Sequence, residues 1–271
     1  MDAAEAQNTD TPMTDENQVS LIVRGDDSGM CHSANTAVLD AFRNGILRNT
    51  SVMVPCPAFA EACEMFRGEA ELCVGLHATI NAEWDQVKWG PVLSMHKVPT
   101  LVGRDGMFMA SPTAFQRRHV LNREILAELQ AQLDLARRKG LNIRYLDEHM
   151  VFRWLPGIEE MLANLAAREG LIYEHGVIPS LPKMYGEFAT PVDRLLAALK
   201  AAKPGVHLLV THPGYDAEDM QGFGVGGQAA GEVAKQRDAD RLLLVDPRVI
   251  AYCREHGVRM ARFTDVVGLG R

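Results

Sequence analysis

A chain of 271 residues is long enough for one large core or two small ones. Apolar residues make up 47% of it and charged residues 23%, which excludes a wholly disordered chain. Its 28 basic against 35 acidic side chains leave a net charge of −7, which argues against a nucleic-acid binder, and no apolar run of about 18 residues offers a membrane span.

Residues 1–20 are polar and acidic and lack an apolar signal core, so residues 1–18 are expected as a disordered tail and the protein as cytoplasmic. Short β-rich runs then alternate with longer helical patterns. The patterns predict strands at 19–24, 50–54, 72–77, 143–147, 171–174, 206–211 and 258–262, with helices at 33–45, 58–67, 112–139, 157–169, 191–202 and 246–256. Runs such as Leu21-Ile22-Val23 and Leu208-Leu209-Val210 are apolar throughout, as in strands buried on both faces. Strand–helix units in this number predict a parallel α/β fold, either a barrel or a doubly wound sheet. Ser33 is placed to cap the first helix, and Lys139-Gly140 to close the long one.

No linker divides the chain, so residues 19–271 are expected as one domain with two insertions, at 78–111 and 213–240. Trp84 and Trp89 are expected to anchor the first. Gly222-x-Gly224-x-x-Gly227 in the second has the letters of a dinucleotide fingerprint but no strand directly before it, so a mobile loop is expected there. The five cysteines are scattered without a C-x-x-C pair and read as buried thiols.

The chemistry gathers where strands end. Asp26-Asp27 follow the first strand, His77 ends the third, Asp147-Glu148-His149 end the fourth and His212 ends the sixth. In a parallel α/β fold these ends share the face that carries the active site. An Asp pair after a strand is often a turn, and a lone strand-end His is often only a satisfied polar group. Four coincident placements are harder to dismiss. Asp27, His77 and His149 could form an open divalent-metal site, with Asp26 as general base and His212 as general acid. The same set would serve hydrolysis of another amide, an ester or a phosphoester, and a barrel that only binds sugar is a further alternative.

Arg24-Gly25-Asp26-Asp27-Ser28-Gly29-Met30, Thr50-Ser51-Val52-Met53-Val54, Val74-Gly75-Leu76-His77, Tyr145-Leu146-Asp147-Glu148-His149 and Thr211-His212-Pro213-Gly214-Tyr215 resemble, in order and spacing, the motifs of the YdjC-like carbohydrate deacetylases. The resemblance implies a distorted, seven-stranded (β/α) barrel of the glycoside hydrolase/deacetylase type. It implies removal of the acetyl group from an N-acetylated sugar, with Asp27, His77 and His149 as metal ligands, Asp26 as base and His212 as acid. It places Pro213, Gly214 and Tyr215 at the substrate, and implies magnesium and a homodimer. On ligand chemistry, two imidazoles favour zinc or another transition metal. Ser28 and Glu148 depart from the family pattern, as do Met150-Val151-Phe152 after the fourth strand, which puts the particular sugar in question.

Overall fold

The computed structural model describes residues 17–266. Residues 1–16 of the expected tail, and residues 267–271, lie outside the described residues. Gln18 already belongs to the fold, its Nε2 donating to the Gly257 carbonyl at 2.7 Å.

The strands are β1 (Val19–Ser28), β2 (Asn49–Val52), β3 (Cys73–Ala78), β4 (Ile143–Glu148), β5 (Ile172–Tyr173), β6 (Gly205–Thr211) and β7 (Arg259–Met260). They form one seven-stranded sheet, ordered β5-β4-β3-β2-β1-β6, with β7 beside the first residues of β1. Every strand pairing is parallel. The fold is therefore the α/β half-barrel that the strand pattern and the resemblance lead one to expect. Between β5 and β6 the curl is joined, among the described residues, by an isolated bridge of Ser180 to Leu208.

Both faces of the sheet are covered, which explains the continuous apolar runs. Side chains alternate between two clusters. Leu21, Val23, Leu76 and Leu146 pack outward against the helices. Ile22, Cys73, Tyr145, Leu208 and Phe263 pack inward and plug the lower barrel. A Cβ at Gly75 would run into the Tyr145 ring, so the glycine is a packing requirement of this plug.

The covering helices are α1 (His32–Asn44), α2 (Phe59–Phe66), α3 (Thr113–Arg118), α4 (Asn122–Arg138), α5 (Ile158–Glu169), α6 (Pro191–Ala201), α7 (Glu218–Gln221), α8 (Glu232–Val245), α9 (Pro247–Glu255) and α10 (Phe263–Val266). Three expectations are corrected. The helix expected over 112–139 is two, because His119 takes a left-handed turn with φ of 50° and the chain restarts at Leu121. Cys31, not Ser33, precedes α1; Ser33 lies inside it and gives its amide and hydroxyl to Asp219. The second insertion is not a plain loop, for α7 and most of the fourteen-residue α8 occupy it. The first insertion holds only isolated bridges, between Val102 and Phe108 and between Asn81 and Met109. Trp84 and Trp89 are buried and anchor it, Trp89 donating from Nε1 to the Asn81 carbonyl at 2.8 Å. The five cysteines are buried and free.

Candidate active site

Alternation along the strands decides what enters the barrel above the apolar plug. On β1, Ile22 faces inward, so Arg24 and Asp26 do too. On β4, Tyr145, Asp147 and His149 follow the same rule, and on β6 Leu208 is followed by Val210 and His212. Asp27 should then face outward. It does not, because its φ is +64° and the β1–β2 register slips between Gly25 and Ser28. This positive-φ aspartate delivers two consecutive carboxylates to one cavity, a conformation uncommon for a non-glycine residue and tolerated best by Asn and Asp.

The two carboxylates are held differently. Arg24 grips Asp26 with two bonds, Nε to Oδ1 at 2.7 Å and Nη2 to Oδ2 at 2.8 Å. Its remaining Nη1 lies 2.9 Å from Asp147 and 3.1 Å from Glu174. Asp27 instead accepts from Arg237 Nη2 at 2.7 Å through Oδ2, while its Oδ1 stands 3.1 Å from His149 Nδ1 and 3.4 Å from His77 Nε2. Arg237 comes from α8.

Each imidazole is fixed from behind by a carboxylate. Asp147 Oδ1 lies 3.0 Å from His77 Nδ1, and Glu83 Oε2 lies 2.9 Å from His149 Nε2. One nitrogen of each ring is thus turned toward Asp27. Ligand atoms of Asp27, His77 and His149 lie within 4.8 Å of one another, and all three residues are buried. A carboxylate and two imidazoles with outer-shell carboxylates on the far nitrogens have the build of a divalent-cation site with open positions. Asp26, His77 and Asp147 make a second overlapping group of this kind.

The electrostatics agree with the geometry. Burial raises the Asp27 carboxyl, but Arg237 and His149 outweigh it and hold the group well below the usual carboxylate range. Burial lowers His77, yet Asp147 and Asp26 raise it well above the imidazole range. His149 is pushed up to about 9, where Glu83 and Asp27 overcome its burial. Negative charge is therefore in excess around these two rings, which suits a cation as well as it suits protons.

Asp26, Asp27, His77, Glu83, His149 and Arg237 line a cavity of about 960 Å³ at the C-terminal ends of the strands. His212 stands on its wall with an exposed imidazole, its backbone amide donating to Asp240 at 2.8 Å. The structure thus brings Asp26, Asp27, His77, His149 and His212 to one cavity. Pro213, Gly214 and Tyr215 fall outside the lining. The Gly214 amide donates to the Arg237 carbonyl, and Tyr215 donates to Asp40 at 3.0 Å beneath the guanidinium of Arg241. Sequence reasoning missed Arg24, Glu83 and Arg237 as site residues. Trp84, under the Arg237 guanidinium, has a buried Nε1 with no partner, as has Nη1 of Arg237. The glycine segment 222–227 is latched to the first insertion: the Gly226 amide donates to the Asp85 carboxylate at 3.0 Å, and the Asp85 backbone amide donates to the Gly224 carbonyl at 2.9 Å.

A family model described as YdjC-like protein matches residues 20–255. The chain belongs to the YdjC-like family. Among curated relatives, a protein named carbohydrate deacetylase from Thermoanaerobacter pseudethanolicus is 25% identical over 90% of this chain and 98% of its own. A chitooligosaccharide deacetylase of Yersinia enterocolitica is 25% identical over 72% of this chain and 81% of its own. Among solved structures, an Enterococcus faecalis protein described as a cellobiose-phosphate cleavage protein superposes with a TM-score of 0.76 at 21% identity, covering 91% of this YdjC-like chain and 98% of the other. At that identity the likeness speaks to the fold. No helix of the described residues is long and apolar enough to cross a membrane.

Proposed function

We propose that this YdjC-like protein is a metal-dependent hydrolase that removes the acetyl group from an N-acetylated sugar. The observation that carries the reading is the pair Asp26 and Asp27: one carboxylate sits among two imidazoles and the other stands beside it in the grip of an arginine. The deacetylase names of the relatives support the substrate class. Asp27, His77 and His149 would hold the cation, which when bound polarises a carbonyl and acidifies water. One carboxylate and two imidazoles favour a transition metal over magnesium as that cation.

The chain's own groups divide the remaining work. Asp26, oriented by Arg24, accepts the proton of the attacking water as its oxygen bonds the acetyl carbon. Arg237 holds Asp27 in its ionised form, and Asp147 and Glu83 keep the two rings turned inward. His212 gives a proton to the sugar nitrogen as the C–N bond breaks, and acetate and a free amine result.

The test is acetate release from N-acetylated sugars by protein stripped of metal and reloaded in turn with Zn²⁺, Co²⁺, Mn²⁺ or Mg²⁺. Acetate in proportion to bound cation is expected. Phosphate release from phosphomonoesters, with no acetate from any N-acetylated sugar, would overturn the reading.

A further inference from the structure

Asp26, His77 and Asp147 have the spacing of a second cation site, yet a charged side chain already spans two of the three. Arg24 donates from Nε and Nη2 to the two oxygens of Asp26 at 2.7 and 2.8 Å. Its Nη1 lies 2.9 Å from Asp147 Oδ2 and 3.1 Å from Glu174 Oε2. Arg24, Asp26, Asp147 and Glu174 are all buried. A guanidinium carries five N–H donors and keeps its charge at any pH a folded protein meets, so it is a permanent cation. Buried charges persist where they are paired or ligate a metal. Without Arg24, three buried carboxylates would stand together with no cation among them.

The two groups of ligand atoms meet in one ring. His77 turns Nε2 toward Asp27 Oδ1, 3.4 Å away, and Nδ1 toward Asp147 Oδ1 at 3.0 Å. The imidazole is thus common to an Asp27–His149 side and an Asp26–Asp147 side. The arginines treat these sides differently. Arg237 touches only Oδ2 of Asp27 and leaves Oδ1 to the two rings. Arg24 engages both oxygens of Asp26 and reaches Asp147 as well. Each Asp26 oxygen keeps a second lone pair, and Asp26 lines the cavity, so the carboxylate can still accept a proton there.

Resting on the reading of Asp27, His77 and His149 as cation ligands, we propose that Arg24 takes the place of a second metal ion: its guanidinium fills the Asp26–Asp147 position, holds the site to one ion, and so keeps Asp26 a base rather than a ligand. Arg24 is a positioning residue in this account, because it acts through Asp26. A metal ion in its place would draw the lone pairs of Asp26 into coordination, and two adjacent aspartates would then do the same work.

The experiment counts ions. Equilibrium dialysis of the full chain against Zn²⁺, with metal content read by mass spectrometry, compares the parent with Arg24→Ala and with the double variant Arg24→Ala/Glu174→Gln. The double variant removes one positive and one negative side chain together, so it keeps the parent's charge balance if the single variant fails to fold. The parent is expected to retain about one equivalent and both variants about two, the second on Asp26, Asp147 and His77. Guanidinium chloride at millimolar concentration, far below denaturing levels, is expected to displace the second equivalent from the variants and to leave the parent's zinc in place. A parent that retains no zinc would sink the cation reading itself. Two equivalents in the parent, one in either folded variant, a second equivalent indifferent to guanidinium, or a double variant that fails to fold even with Zn²⁺ present would overturn the role of Arg24.

Discussion

Asp26 and Asp27 are adjacent in the chain, project into the same cavity, and are claimed by two different arginines, Arg24 from the same strand and Arg237 from α8. Ordinary strand alternation would have sent them to opposite faces. The positive φ of Asp27 undoes that alternation, and the two arginines then give the carboxylates separate surroundings. Distinct surroundings for paired carboxylates are how one site obtains distinct roles.

The division predicts a separation of effects. Asp26→Asn keeps the size of the side chain and leaves Asp27, His77 and His149 in place. Turnover is expected to fall by roughly 10²–10⁴-fold, the usual contribution of a general base, while cation affinity stays near that of the parent. Acetate release and calorimetric cation binding on the same preparation check both halves.

Glu83 and Asp147 make no contact with Asp27's carboxylate, yet each fixes one imidazole. Glu83→Gln and Asp147→Asn are each expected to weaken cation binding by roughly 10–100-fold, as for other outer-shell partners. Direct titration with Zn²⁺ or Co²⁺ measures this without reference to turnover. Asp147→Asn should also lower stability, since Arg24 then loses one of its buried carboxylates.

These partners mark the limit of what the sequence discloses. Strand ends are legible because apolar runs stop at acid and imidazole residues: Val23 precedes Asp26-Asp27 closely, and Leu76 precedes His77. Glu83 sits in an insertion without regular structure, so no periodicity signals its direction. Arg237 lies on α8, which follows a glycine-rich stretch and carries six charged residues among its first ten, and this obscures both the helix and its inward arginine. The break at His119 is equally silent, with neither glycine nor proline to mark it. Only the bare letters Asp-Asp are visible at 26–27; the φ that turns both inward is a tertiary outcome.

Away from the site, Glu128 on α4 is fully buried and braces the first insertion. Its carboxylate accepts the amides of Val92 at 2.8 Å and Leu93 at 3.0 Å, and Nε2 of Gln132. Burial raises its carboxyl above the usual range despite these bonds. A carboxyl raised in the folded state binds its proton more tightly there than in the unfolded chain. Its contribution to stability is therefore greatest in mild acid and declines as pH rises from the unfolded value through the folded one. Glu128→Gln leaves one backbone amide facing a donor and is expected to cost about 1–3 kcal/mol at neutral pH. Denaturant melts of both proteins at several pH values check the size and the sign.

Tyr215 donates to Asp40, and Arg241 spans the same carboxylate at 3.0 Å. Although partial burial raises the Asp40 carboxyl, the bonds from Asn44, Tyr215 and Arg241 hold it below its ordinary value. Its contribution is present above the unfolded pKa and is lost as pH falls through the folded one. Tyr215→Phe is expected to cost about 0.5–1.5 kcal/mol and to flatten the acid limb of stability. KM is expected to change little, because Tyr215 stands outside the cavity lining. Melts across acid pH, with KM at neutral pH, test the two expectations together.

The central claim is that Asp27, His77 and His149 hold one cation between them. Equilibrium dialysis against Zn²⁺, with metal content read by mass spectrometry, tests it most directly. The parent protein is expected to retain about one equivalent per chain, as a single three-ligand site requires. Asp27→Asn, His77→Ala and His149→Ala, each shown folded by circular dichroism, are expected to retain almost none. Parent-like zinc content in all three folded variants would contradict the account.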